Sequence, residues 1–204
     1  TGPNPTGSTT PGAPGTATGE RDGSGVAPNT YNDTDAASFV SAPATALKAI
    51  VATSEASTVG ADLAIGEIVR YRVTATLPEG TATNFQFVDT LPVGLTLLDL
   101  AEVRVSILAN NPFTTAVDMA GADNDAVPPT FVLPAVRIGT VGQTTTFSLG
   151  DFVNNDSDPG AENIIIEFNA LVGNVVGNAD GNTRDNTATV NVGGGRMLPS
   201  VFIS

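Results

Sequence analysis

The sequence predicts an all-β fold, a sandwich of two sheets, on three observations. Apolar and polar residues alternate with period two, most clearly from Ile68 to Leu77. There Val69, Tyr71, Val73, Ala75 and Leu77 share one face, and Arg70, Arg72, Thr74 and Thr76 share the other. Such runs are separated by turn residues, and Gly and Pro are abundant, at 22 and 14 of 204 residues. Finally, no window carries a convincing helical period, whereas about nine short strands at this spacing are the pattern of a sandwich.

Residues 1–34 read as a low-complexity extension or linker. Gly, Pro and Thr dominate them, and Val26 is the one large aliphatic side chain before residue 31, so the segment cannot bury enough surface to order itself. A Ser/Thr/Pro-rich stalk carrying O-linked sugar fits the same composition. The sandwich is expected over 35–193, beginning with candidate strands Asp35 to Val40 and Ala46 to Ala52, with Pro43 between them. Ile68 to Leu77 follows and is closed by Pro78-Glu79-Gly80. Asn84 to Leu91 comes next, with Phe85, Phe87, Asp89 and Leu91 in phase, and then Val103, Val105 and Ile107 alternate with polar neighbours. After a Pro- and Asp-rich excursion at 111–130, strands are expected near Phe131 to Ile138, Thr144 to Leu149, Asn163 to Val172 and Asn186 to Val192. The expected inward set is Val69, Tyr71, Val73, Phe85, Phe87, Val105, Ile166, Phe168 and Val190. Residues 194–204 read as a glycine hinge and a short tail.

Charge and composition narrow the function. Twenty-one acidic against eight basic side chains leave a net charge of −13, which disfavours phosphate backbones and anionic lipid as partners. No apolar run is long enough to span a membrane. The absence of His and Cys removes imidazole bases, thiol nucleophiles, disulfides and Cys/His zinc sites, so the composition points away from an enzyme. A carboxylate pair could serve a glycosidase, but no Trp and two Tyr leave little platform for a sugar ring.

Four pieces in order carry a family resemblance: Gly66-Glu67-Ile68-Val69-Arg70-Tyr71-Arg72-Val73-Thr74, then Leu77-Pro78, then Asp89-Thr90-Leu91-Pro92-Val93-Gly94-Leu95, and last Asn186-Thr187-Ala188-Thr189-Val190. Over about residues 44–192 the chain resembles repeat modules of bacterial surface proteins, namely the fimbrial D2-type isopeptide-forming domains and the related conserved-repeat domains. The resemblance implies an immunoglobulin-like sandwich acting at the cell surface or outside the cell, as a stalk, adhesin or fibre subunit. The sequence departs from the pattern in lacking an LPxTG-like sorting signal and in holding one module rather than a tandem array. Gly19 to Gly25 and Tyr31 to Asp35 resemble segments that, in such arrays, follow the closing strand of the preceding module; here they come first. That order implies head-to-tail assembly with other copies of the chain. The extension, through Tyr31, Ala37, Phe39 and Val40, would act as a donor strand on its neighbour.

Lys48 is the only lysine, and it sits in a strand pattern. In the resembling domains a first-strand lysine attacks the amide of a last-strand asparagine while a buried acid relays protons. By motif position this implies Lys48 and Asn186, with Asp89 as the leading acid and Glu167 as the second. Periodicity independently turns Asp89 and Asn186 inward, with Phe87 and Ala188. Burial raises a carboxyl pKa and lowers an amine pKa, which suits a nucleophilic amine beside a neutral acid. The alternative is an edge lysine snorkelling to water, with Asp89 and Asn186 capping turns.

Oxygen-only clusters in turn-rich loops are candidates for calcium: Asp156, Asp158 and Glu162 in one, and Asp180, Asn182 and Asp185 in another. Their alternative is Asx turns in solvated loops. A calcium-stabilised adhesin binding a surface receptor or glycan is the rival function. Loops 109–130 and 151–162 are long enough for it, although no aromatic cluster marks a hot spot.

Overall fold

The structure, a computed structural model, describes residues 45–58, 61–77, 79–109, 117–123, 125–154, 160, 162–193, 196–197 and 201–203. The expected strand at 35–40 lies outside the described residues, as do Tyr31, Ala37, Phe39 and Val40. Among the described residues the strands are β1 (Thr45–Thr53), β2 (Ile68–Leu77), β3 (Gly80–Thr90), β4 (Leu95–Leu98), β5 (Arg104–Leu108), β6 (Phe131–Val132), β7 (Ile138–Val141), β8 (Thr144–Asn154), β9 (Glu162–Val172), β10 (Asn186–Val192), β11 (Arg196–Met197) and β12 (Val201–Ile203). The only helical pieces among them are short 3-10 turns, and none is long and apolar enough to cross a membrane.

These strands form an immunoglobulin-like sandwich of two antiparallel sheets. One sheet runs β1-β2-β9-β5-β6, with β4 also on β9; the other runs β11-β10-β3-β8-β7, with β12 also on β10. The alternation along β2 sets the first sheet: Val69, Tyr71, Val73, Ala75 and Leu77 are buried, and their polar neighbours are half-exposed. Facing them, β3 and β8 supply Phe85, Phe87, Phe147 and Phe152. Phe85 meets Phe87 edge-on at 5.2 Å and Phe152 at 5.5 Å, while Phe147 stacks on Phe168 at 5.3 Å across the gap between the sheets. Every residue of the expected inward set is buried.

Three strands differ from expectation. The run expected as one strand from Phe131 to Ile138 is divided between the sheets. β6 ends at Val132, Pro134 and a 3-10 turn at Ala135–Arg137 redirect the chain, and β7 joins β8 in the other sheet. Pro134 cannot donate to a ladder, which suits it to the crossing point. β3 begins earlier than expected because an irregularity near Asn84, at φ 48°, lets the ladder with β8 resume on both sides. β4 was not expected after Pro92 and Gly94. Gly94 at φ +106° makes the turn possible, and its carbonyl accepts from Gly173 N at 2.7 Å and from Asn178 Nδ2 at 3.0 Å. A Cβ at Gly94 would collide with the Asn178 side chain.

The tail adds to the sandwich. β11 and β12 both pair with β10, so the outer edge of that strand is covered by residues that follow it in the chain.

Candidate functional site

Lys48, on β1 of one sheet, faces inward onto Asp89 on β3 of the other sheet, and Asn186 on β10 shares the inward face of Asp89. Lys48 is opposite Val73 in the β1–β2 ladder and shares its inward direction, so the amine is carried into the core at 4 % exposure. Its Nζ forms an ion pair with Asp89 Oδ2 and lies 4.8 Å from the Tyr71 ring centre and 5.6 Å from that of Phe168. Asp89 on β3 is directly opposite Ala188 on β10, and Asn186 lies two residues along the same face. A diagonal pair of that kind is within reach of side-chain contact. Asp89 and Asn186 are each about 1 % exposed, as the inward phase of their strands predicts.

The site is under-satisfied. Asp89 Oδ1 and both amide atoms of Asn186 are buried without a hydrogen bond of normal geometry. Buried polar groups are ordinarily paired, so three such atoms in one cluster mark a place where stability has been given up. The Asn186 amide nevertheless neighbours the Tyr71 hydroxyl closely enough to influence its ionisation.

Burial dominates the electrostatics. It pulls the Lys48 amine down to about 8, against the opposing pull of the Asp89 charge and hydrogen bond. It pushes the Asp89 carboxyl up, again against Lys48. Tyr71 is pushed up to about 12 by burial, eased by Asn186 and raised further by Asp89, so its hydroxyl keeps its proton at neutral pH. Moving one proton from Lys48 to Asp89 leaves the net charge of the pair unchanged and removes both buried charges. The product, a free amine beside a neutral carboxylic acid and an amide, has the groups that an amide exchange requires.

Glu167, expected as the second acid, does not join this cluster. It is opposite Arg72 in the β2–β9 ladder and points to the outer face of the sheet, between inward Ile166 and Phe168. Its oxygens accept from Arg70 Nε at 2.6 Å and Arg72 Nε at 2.7 Å, and the two guanidinium groups cover it completely. Glu167→Ala is expected to cost about 1.5–3 kcal/mol in chemical denaturation, since it removes two charge-assisted bonds and leaves the arginines partly solvated.

Glu67 has a role that motif reading did not assign. It is buried at the head of β2 and accepts from Ala64 N at 2.7 Å and Thr58 Oγ1 at 2.6 Å, which ties the β1–β2 connection to the sheet. Burial pushes its carboxyl up, but these hydrogen bonds outweigh it and hold the group below its ordinary value.

Of the candidate calcium ligands, Asp156 and Asp158 lie outside the described residues. Glu162 is buried, with Oε2 taking a hydrogen bond from Asn154 Nδ2. Asp180 and Asp185 are exposed, and Asn182 donates to the Gly177 carbonyl at 3.2 Å. Among the described residues no three acidic side chains gather as a metal-ligand group.

No protein-family model and no curated protein matches the chain. Solved structures do. The major pilin subunit BcpA of Bacillus cereus is 16% identical, over 79% of this chain and 40% of that one, with a TM-score of 0.44. The N-terminal domain of the Streptococcus gordonii adhesin Sgo0707 is 15% identical, over 78% and 32%, with a TM-score of 0.46. The RrgB pilus backbone of Streptococcus pneumoniae is 12% identical, over 74% and 52%, with a TM-score of 0.42. The chain thus spans about half or less of each of these three structures.

Proposed function

We propose that the chain is a structural module of a bacterial extracellular fibre or surface adhesin, stiffened by an amide bond between Lys48 and Asn186. One observation carries this reading: the single lysine of the chain is buried against Asp89, beside an asparagine with no hydrogen-bonding partner. A buried ion pair contributes little net stability, and an apolar trio would pack at lower cost. A bond that forms once and persists accounts for keeping these groups there. Lys48 is on the first described strand and Asn186 on β10, so the bond would bracket nearly all of the sandwich. Tension on the chain would then pass through covalent bonds instead of peeling strands apart. The decisive experiment is intact mass, which is expected to fall short of the sequence by one ammonia.

Assembly is proposed to run head to tail, the N-terminal extension adding a strand to a neighbouring copy. Two features support it: the composition of residues 1–30, which cannot order itself, and the position of Tyr31 to Asp35 ahead of the first strand rather than after the last. β7 pairs on one side only among the described residues, which leaves an edge able to receive such a strand. Removing residues 1–40 is expected to abolish fibres in negative-stain images while the sandwich stays folded. Identical fibres from the truncated chain, or a full-length chain that is monomeric at every concentration, would refute this mode of assembly.

A further inference from the structure

We propose that the slot between β4 and the β7–β8 hairpin receives Phe39 of a neighbouring copy, carried in a strand that residues 36–41 of that copy add to the free edge of β7. The inference rests on the reading that the chain assembles head to tail through its N-terminal extension. It names the receiving place and the anchoring side chain.

The slot lies between the two sheets. One wall is Leu91, Leu95, Leu97 and Leu100, from the end of β3 through β4; the other is Thr140 and Thr145, on the β7–β8 hairpin. Its volume is about 170 Å³, and no charged side chain lines it. An apolar cavity of roughly 150 Å³ holds a benzene ring, so the slot has room for one aromatic side chain. Gln143 ties the walls together: its Nε2 donates to the Pro92 and Leu95 carbonyls at 3.1 Å each, and its backbone carbonyl accepts from Leu91 N at 3.0 Å. The slot is therefore formed before anything enters it.

The strand edge beside the slot decides what enters. Among the described residues β7 pairs only with β8, so its other row of backbone groups is open to a further strand. Ile138 packs against the core and Thr140, two residues on, lines the slot, so the inward residues of an added strand fall beside them. From Ala36 to Ser41, one phase holds Ala37, Phe39 and Ser41, a single large side chain with a small one on either side. Phe39 and Tyr31 are the only aromatic residues ahead of β1. Residues 36–43 carry no charge, so in a chain of net charge −13 this segment meets an uncharged slot with no like charges opposed.

The ring has to come from another copy. Thr45 is level with Thr76 and Asn163, whereas Thr96 at the slot is level with Leu171, eight residues (171 − 163) further along β9. That is about 26 Å along the strands, and the three strand spacings from β1 to β4 add about 14 Å across them, so the separation is about 30 Å. Six residues (45 − 39) lead from Phe39 to Thr45 and span at most about 22 Å, so a chain cannot fill its own slot with this ring. The extension joins the sandwich at one end and the slot lies toward the other, which makes the contact heterologous and lets it repeat from copy to copy.

The test uses the full chain, which has no cysteine of its own. Ser38→Cys and Val141→Cys, both in the outward phase, are made in separate chains, mixed, allowed to form fibres and oxidised. Leu47→Cys, 64 % exposed on β1, probes the opposite edge. A disulfide is expected between the Ser38 and Val141 variants and not between the Ser38 and Leu47 variants. Phe39→Ala is expected to raise the lowest fibre-forming concentration at least about ten-fold, as loss of a buried anchor does, while Val40→Ser changes it less than about two-fold. Fibres in which the Ser38 variant joins the Leu47 variant or neither, or in which Phe39→Ala assembles unchanged, overturn the slot and leave head-to-tail assembly standing. A Phe39→Ala chain that melts well below the unsubstituted one when both are diluted to monomers places Phe39 in its own sandwich and also overturns it. If the unsubstituted chain forms no fibres, the assembly reading fails and the slot fails with it.

Discussion

Asn186→Ala is expected to give an intact mass equal to that of its full sequence and to lower the melting temperature by about 10–20 °C relative to the unsubstituted chain. The estimate treats the amide as a cross-link that restricts the unfolded chain. Closing a loop of roughly 140 residues removes entropy worth about 5 kcal/mol in the disulfide model. A kilocalorie shifts the melting point of a domain this size by about 2–4 °C. Replacing one buried amide costs far less than that, because neither of its polar atoms is hydrogen-bonded in the fold. Calorimetry with mass analysis of the same samples checks both halves. Equal melting temperatures, or equal ammonia deficits, would sink the cross-link.

The same variant, unable to react, reveals the charges at the site. Lys48 is depressed to about 8 from 10.5, so between these values the unfolded chain holds a proton that the folded chain has released. Stability contributed by this group therefore rises with pH across that window. Asp89 acts with the opposite sign. Its pKa is raised, so just above the ordinary carboxylate range the folded chain holds a proton that the unfolded chain has lost, and stability falls as pH climbs. Together the two groups make the non-reacting variant least stable in the interval between them, where the buried pair is ionised.

How much of this site was legible in the sequence depends on which interactions lie along a strand and which lie between strands. Phase alone turned Asp89 inward with Phe85 and Phe87, and Asn186 inward with Ala188 and Val190; the structure buries both. The same phase, applied to β9, excludes Glu167: if Ile166 and Phe168 face the core, the residue between them cannot. Motif position suggested otherwise, and Arg70 and Arg72 on the neighbouring β2 supply the reason the carboxylate is nevertheless buried. Glu67 was visible in its motif, but its partners are loop groups with no periodicity to announce them. Tyr71 was legible as a core residue, whereas its place beside the Lys48 amine depends on strand order, which no local pattern encodes. The division of Phe131 to Ile138 between two sheets was hidden for a related reason. Pro134 signals a break but not the sheet to which the chain goes next.

Phe168→Ala is expected to cost about 3–5 kcal/mol and to slow ammonia loss as well, two effects of one cavity. The ring is about 1 % exposed, stacks on Phe147 at 5.3 Å and tilts against Tyr71 at 5.7 Å, so its removal leaves a void that these neighbours cannot all close at once. That void borders Lys48, whose amine lies 5.6 Å from the ring centre. Water entering there would solvate the ammonium and undo the burial that depresses its pKa, the largest influence on the group. Returning the amine toward 10.5 makes it a poorer nucleophile at neutral pH, and the rate should recover as the solution is made alkaline. Phe85→Ala is the control: it creates a comparable cavity among Phe87 and Phe152, and no contact joins that ring to the amine. Similar destabilisation in both variants, with the reaction slowed only in Phe168→Ala and rescued by raising the pH, would show that the dryness around Lys48 is a working part of the site. Equal slowing in both would reduce Phe168 to one more core ring and leave the depressed amine to be explained by other neighbours.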